Sequence, residues 1–264
     1  MATPVLNSPA LWLSSFPEPA LDGHKYHRGH TVILGADTYT GATRMAAEAC
    51  SRTGSGLVTV LSTPDMAHLY QTVLPADIMV RTDALSRINR VTTVLAGPGG
   101  CSETQAQILE ASAPDLSVIL DTDAIRLAAN LLNTQKIATP HEAEFSRYFG
   151  EIGADRAGAA VRVAQETGSI ILLKGAETLI AAPDGRLVAN TVASPYLAKA
   201  GSGDVLAGMI AGLVAQGMPA FEATCCGVWM HGHAGKQIGP GLVPQDIIAF
   251  IPDVLKALLD ANET

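Results

Sequence analysis

Residues 196–217 read YLAKAGSGDVLAGMIAGLVAQG, a glycine-rich turn, AGSGD, that opens directly into a long apolar segment. Gly201 and Gly203 lack a Cβ, so the backbone there can approach a ligand closely and present successive N–H groups. A helix beginning near Asp204 adds its positive dipole end, which makes the turn, with Ser202, a cradle for phosphate or another anion. The Asp204 carboxylate, held in the same small volume, could take a proton from a hydroxyl or hold that hydroxyl in place. An aspartate at a helix start is also an ordinary N-cap, and the turn alone does not separate the two roles. No GK[ST] follows, so this is not a Walker loop.

Other stretches carry groups of interest. LKGAET (173–178) sets Lys174 and Thr178 around a turn, where the lysine suits either a phosphate or a solvated strand end. In TPHEAEF (139–145), Pro140 fixes the backbone and His141 could hydrogen-bond a polar substrate. Glu142 and Glu144 read as first-turn acids of a helix. His231 and His233, two apart in HGHAGK, point in different directions on a helix and do not make a metal face.

The elements that must position these groups alternate along the chain. HTVILGA (30–36), LVTVLST (57–63), RVTTVLA (90–96), the start of SVILDTDAIRLAANLL (117–132), KIAT (136–139) and SIILLKG (169–175) read as buried strands. Between them, residues 41–56, 64–75, 104–112 and 156–168 show helical spacing, and helices run from Asp204 to the end. Residues 178–190 are two short segments around Pro-Asp-Gly, an antiparallel hairpin. Alternating strands and helices predict a mostly parallel sheet covered on both faces, in one domain from residue 26 to 264 after an N-terminal preamble of residues 1 to 25. In such sheets ligands gather beyond the carboxyl ends of the strands. The turns there are GADTYTGA, AGPGG, LDTD, TPHEAEF and LKGAET, and AGSGD is inspected with them.

Bulk properties exclude several classes. The chain has 264 residues and a net charge of −8 without a basic block, so nucleic acid is not an expected partner. The N-terminus lacks a basic start followed by an apolar run, and no apolar stretch reaches roughly 18 residues, so neither a signal peptide nor a membrane span is expected. Cys50, Cys101, Cys225 and Cys226 show no metal or disulfide spacing and read as reduced thiols in a cytoplasmic protein.

Taken in order, KYHRGHTVILGADTYTGA, AGPGGC, LDTDAI, ATPHEAEF, LKGAET and GSGDVLAG resemble the motifs of the ADP/ATP-dependent NAD(P)H-hydrate dehydratase family, of the ribokinase-like superfamily. The likeness runs from about Lys25 to about Gln237. It implies a three-layer α/β/α sandwich and an enzyme that repairs hydrated NADH and NADPH. In that reaction the ring hydroxyl of the S-hydrate takes a phosphoryl group from ADP or ATP, and phosphate is then eliminated.

The resemblance makes Asp204 the residue that orients or deprotonates the hydroxyl, and Gly201, Ser202 and Gly203 the phosphate cradle. It assigns Lys174, Gly175, Ala176, Glu177 and Thr178 to the nucleotide, and Ala42, Gly99 and His141, with Asp204, to the hydrated cofactor. Mg²⁺, a homotetramer and a separately encoded epimerase are implied with it; a charged fraction of 16% is compatible with buried subunit faces. Departures from the family pattern fall at Ala36 and Asp37, where GGS becomes GAD, at Gly100 in GPGGC, at Thr122 and Ile125 in LDTDAI, and at Glu142 and Ala143 in PHEAEF. Two other readings stay open: a small-molecule alcohol kinase of the same superfamily, and a nucleotide-binding sensor without turnover.

Overall fold

A computed structural model describes residues 3–111, 116–128, 131 and 136–262. The first half of the chain forms β1 (Val5–Leu6), β2 (His30–Leu34), α1 (Thr40–Thr53), β3 (Leu57–Leu61), α2 (Pro64–Val73), β4 (Ile78–Arg81), β5 (Thr93–Ala96) and α3 (Glu103–Glu110). There follow β6 (Ser117–Leu120), α4 (Asp123–Leu127), β7 (Lys136–Ala138), α5 (Glu142–Phe149), α6 (Arg156–Thr167) and β8 (Ile170–Leu173). The chain then makes β9 (Thr178–Ala181) and β10 (Leu187–Asn190), and closes with α7 (Ser202–Ala215), α8 (Ala220–Ile238) and α9 (Pro244–Asn262).

The strands make one ten-stranded sheet in the order β1-β10-β9-β8-β7-β6-β5-β2-β3-β4. The run from β8 to β4 is parallel throughout, and β9 is antiparallel to both β8 and β10. The Pro-Asp-Gly segment is the turn of that hairpin, as its composition predicts.

Successive strand residues point to opposite faces, and both faces are buried. Ile33, Leu95, Ile119 and Leu172 pack on one side with α1, α7, α8 and α9. Val32, Val94, Val118 and Ile171 pack on the other with α3, α4, α5 and α6. A sheet covered in this way is the three-layer sandwich the motifs imply. The helix α7 is apolar on every side because it is enclosed, and a Cβ at Gly208 would lie 2.2 Å from the Ala46 carbonyl of α1. That close approach packs the middle of α7 against the middle of α1.

Three details differ from or extend the sequence reading. The strand β4 was not expected; it is a four-residue edge strand carrying an arginine, too short to show a pattern. Residues of the preamble pack on the sheet: β1 pairs with β10, and Trp12 is fully buried against Trp229. The helix expected through residue 132 is described to Leu127, and residues 129, 130 and 132 lie outside the described residues. Among the described residues no helix is long and apolar enough to cross a membrane.

Candidate active site

The turn AGSGD sits where its glycines allow. Gly201 is the N-cap of α7 with φ +93°, a left-handed conformation natural to glycine, and the helix starts at Ser202, two residues earlier than expected. No side chain caps this helix. Asp204 is therefore not the N-cap; it is the third residue of the first turn.

That turn separates two cavities. Gly201 and Asp204 line one of about 730 Å³, together with Ala42, Gly99 and the turn from Ala36 to Tyr39. Ser202 and Gly203 line another of about 650 Å³, together with Lys174, Gly175, Ala176 and Thr178. The second has apolar walls at Val192, Leu197, Leu206 and Val228, suited to a flat base, with the amide-rich mouth of α7 at its edge.

The charges between them are coupled. Asp121, at the end of β6 and 2% exposed, accepts hydrogen bonds from Lys174 Nζ at 2.9 Å and from Thr139 Oγ1 at 2.6 Å. Burial alone would push the Lys174 ammonium down, but Asp121, with smaller contributions from Glu144 and Asp204, holds it above the ordinary lysine range. Burial, and then the Asp121 carboxylate, push the Asp204 carboxyl up to about 6, against weaker opposing pulls from Lys174 and a backbone N–H. A carboxyl so tuned is ionised at neutral pH yet basic enough to accept a proton from an alcohol.

A family model described as NAD(P)H-hydrate dehydratase matches residues 30–252. The chain belongs to the NAD(P)H-hydrate dehydratase family. It is 34% identical to the ADP-dependent (S)-NAD(P)H-hydrate dehydratase of Neisseria meningitidis, over 84% of this chain and 81% of that one. It is 35% identical to the bifunctional NAD(P)H-hydrate repair enzyme of Methanopyrus kandleri, over 88% of this chain but 50% of that protein. The chain thus spans about half the length of the bifunctional relatives it matches. Among solved structures, the ADP/ATP-dependent NAD(P)H-hydrate dehydratase of Bacillus subtilis, co-crystallised with ATP and Mg²⁺, superposes with a TM-score of 0.85 at 27% identity, covering 98% of this chain and all of that one. The fold is ribokinase-like, as expected.

Measured against the family motifs, the structure brings Ala42, Gly99, Gly201 and Asp204 to the first cavity and Lys174, Gly175, Ala176, Thr178, Ser202 and Gly203 to the second. Glu177 and His141 line neither. The Glu177 carbonyl accepts from Arg156 Nη1 at 3.0 Å. The His141 ring caps α5, its Nδ1 accepting from the Ala143 and Glu144 N–H groups at 3.1 and 3.2 Å. Its backbone does reach the site's edge, bridging to Lys174.

Three residues beside these cavities make contacts that the sequence does not signal. Asp121 stood in the quoted LDTD turn, but its partner Lys174 is 53 residues away. His231, dismissed as a metal ligand, is buried on α8 with Nε2 2.9 Å from Ser202 Oγ and 3.0 Å from the Ser202 carbonyl oxygen. Thr122 lines the first cavity at φ +47°, an unusual backbone for a β-branched residue, with its hydroxyl donated to the Gly97 carbonyl at 2.7 Å.

No group of three or more histidine, cysteine or acidic side chains able to hold a metal occurs among the described residues. The Asp204 carboxylate on the cavity wall is a hard oxygen donor of the kind Mg²⁺ takes alongside waters and substrate phosphates.

Proposed function

We propose that this chain is an ADP-dependent dehydratase of the S-form of hydrated NADH and NADPH. The observation that carries the reading is the single turn of α7 shared by two cavities, with the Asp204 carboxylate on the wall of one and the Gly203 amide region on the wall of the other. An alcohol held beside Asp204 and a phosphoryl donor held beside Gly203 meet at that turn. The names of its relatives supply the substrate class: the Neisseria protein is named for ADP and the S-hydrate, and the Bacillus structure is described with ATP and Mg²⁺.

The chemistry follows from leaving groups. Hydroxide leaves poorly at neutral pH and phosphate leaves well, so a nucleotide is consumed to convert one into the other. Asp204 orients the ring hydroxyl and removes its proton as oxygen attacks the terminal phosphorus of ADP, and AMP leaves. The N–H groups opening α7 and the Lys174 ammonium stabilise the charge on the transferring group. The C–O bond of the phosphate ester then breaks, assisted by the ring nitrogen lone pair, and loss of the neighbouring proton restores the reduced nicotinamide with release of phosphate. Mg²⁺, carried on the phosphates near Asp204 or Asp121, supplies charge neutralisation when bound.

A cytoplasmic homotetramer, fed the reactive epimer by a separately encoded epimerase, completes the proposal. The bifunctional relatives, about twice as long, support a link to a second repair activity.

The test is direct: pure protein, Mg²⁺ and hydrated NADH are mixed with ADP or ATP, and recovery of reduced-nicotinamide absorbance is followed with phosphate release. Recovery with ADP is expected. A phosphorylated product that persists without restored absorbance would make the protein a kinase, and no reaction with either nucleotide would leave the sensor reading.

A further inference from the structure

Among the described residues, the cavity holding Asp204 is lined by three carboxylates, Asp37, Asp123 and Asp204, and by no lysine, arginine or histidine. Cations beside it are engaged elsewhere or exposed: Lys174, whose charge pulls on Asp204, is paired with Asp121 at 2.9 Å, Arg44 donates Nη2 to the Val73 carbonyl at 3.4 Å, and Arg126 and Lys199 are exposed. Asp37 itself lines the cavity, is exposed and accepts the Thr63 hydroxyl at 3.0 Å. The Cys101 thiol on the wall is pushed up to about 11 by burial and then by Asp123 and Glu103, which outweigh Arg126.

The two forms of the substrate differ in one group. Hydrated NADPH carries a 2′-phosphate, about two further negative charges at neutral pH, that hydrated NADH lacks. Sites that accept this group place an arginine or a comparable cation near it, whereas acidic residues favour the free ribose hydroxyls, which can donate to them. The backbone amides of Gly99 and Cys101 can serve the pyrophosphate common to both. Among the described residues, the cavity wall offers the extra phosphate no cationic side chain.

Building on the dehydratase reading, we infer that this cavity discriminates by charge in favour of hydrated NADH over hydrated NADPH, with Asp37 a specificity-determining residue. The carboxylate is exposed, so the discrimination is modest and screened by salt.

The experiment compares kcat/KM for the S-hydrates of NADH and NADPH, with ADP and Mg²⁺ saturating, at about 20 mM and about 300 mM ionic strength. A ratio of at least about fivefold favouring hydrated NADH at low salt, shrinking to about twofold at high salt, is expected for an exposed charge effect. Asp37→Asn and Asp37→Ser should narrow the low-salt ratio, mainly by lowering KM for hydrated NADPH. Equal kcat/KM for the two substrates, or a ratio indifferent to both salt and Asp37, overturns the inference while leaving the dehydratase reading intact. Inactivity toward both substrates by folded protein overturns the two together. The salt series on unaltered protein keeps the test decisive even if a variant does not fold.

Discussion

Lys174 and Asp121 form a buried ion pair, 2.9 Å from Nζ to Oδ1, that ties the nucleotide-side turn after β8 to the carboxyl end of β6. Breaking one partner of such a pair leaves the other charge unpaired in the interior, which costs far more than the pair itself contributes. Lys174→Met should therefore destabilise the protein by about 3 kcal/mol at neutral pH. The double variant Lys174→Met/Asp121→Asn should recover part of that loss. Urea midpoints of the two singles and the double form the measurement; simple additivity would show that the pair is not energetically coupled.

The raised carboxyl of Asp204 makes a paired prediction for activity and stability. Turnover needs the ionised form, so kcat/KM should fall as pH drops through about 6, and Asp204→Asn should lose at least about 100-fold. For stability the sign is reversed. An acid whose folded pKa lies above its ordinary 3.8 favours the folded state when protonated, and its penalty accumulates as pH rises from 3.8 to about 6. Asp204→Asn should accordingly be more stable than the parent by about 2 kcal/mol at pH 7, with the gain vanishing near pH 4. A variant that loses activity and stability together would mark Asp204 as structural.

Gly203 separates folding from function more sharply. A Cβ there would meet nothing closer than Lys174 Nζ at 3.7 Å, an ordinary contact, so Gly203→Ala fits the fold. Alanine is the better helix former, and the substitution should leave stability unchanged or raise it by up to about 1 kcal/mol. The added methyl faces the second cavity beside the amides assigned to phosphate. Turnover should fall at least about tenfold, through displacement of the transferring group. Full activity with ADP in this variant would remove Gly203 from the cradle.

How much of this was legible depended on distance along the chain. Strands such as HTVIL and the helix after AGSGD announce themselves through local composition, and the turns at strand ends could be ranked by glycine content and polarity. Those local signals pick out turns that line the two cavities, among them GADTYTGA, LKGAET and AGSGD. They could not reveal that Asp121 reaches Lys174 across the intervening β7, or that His231 of α8 reaches Ser202 at the mouth of α7, because neither pairing leaves a spacing in the sequence. A histidine before two glutamates can face a ligand or turn back to cap its own helix, and the sequence does not show that the His141 Nδ1 accepts from two N–H groups of α5.

His231 yields the last prediction. Its ring is buried, and burial pushes its pKa down to about 4 despite the hydrogen bond its Nε2–H donates to the Ser202 carbonyl, which works the other way. A histidine depressed in this manner stabilises the fold above its ordinary value of 6.5 and withdraws that support as pH falls from 6.5 toward 4, because the unfolded chain takes up the proton first. Between pH 7 and pH 5 the contribution lost is about 2 kcal/mol. His231→Gln removes this titration, so its urea midpoint should decline less over that interval than the parent's; His30, also depressed by burial, is common to both proteins and cancels in the comparison. The variant should also raise KM for ADP, since Ser202 loses the ring that holds it at the start of α7. Parallel pH profiles for the two proteins would mean that the buried imidazole does not carry the acid sensitivity.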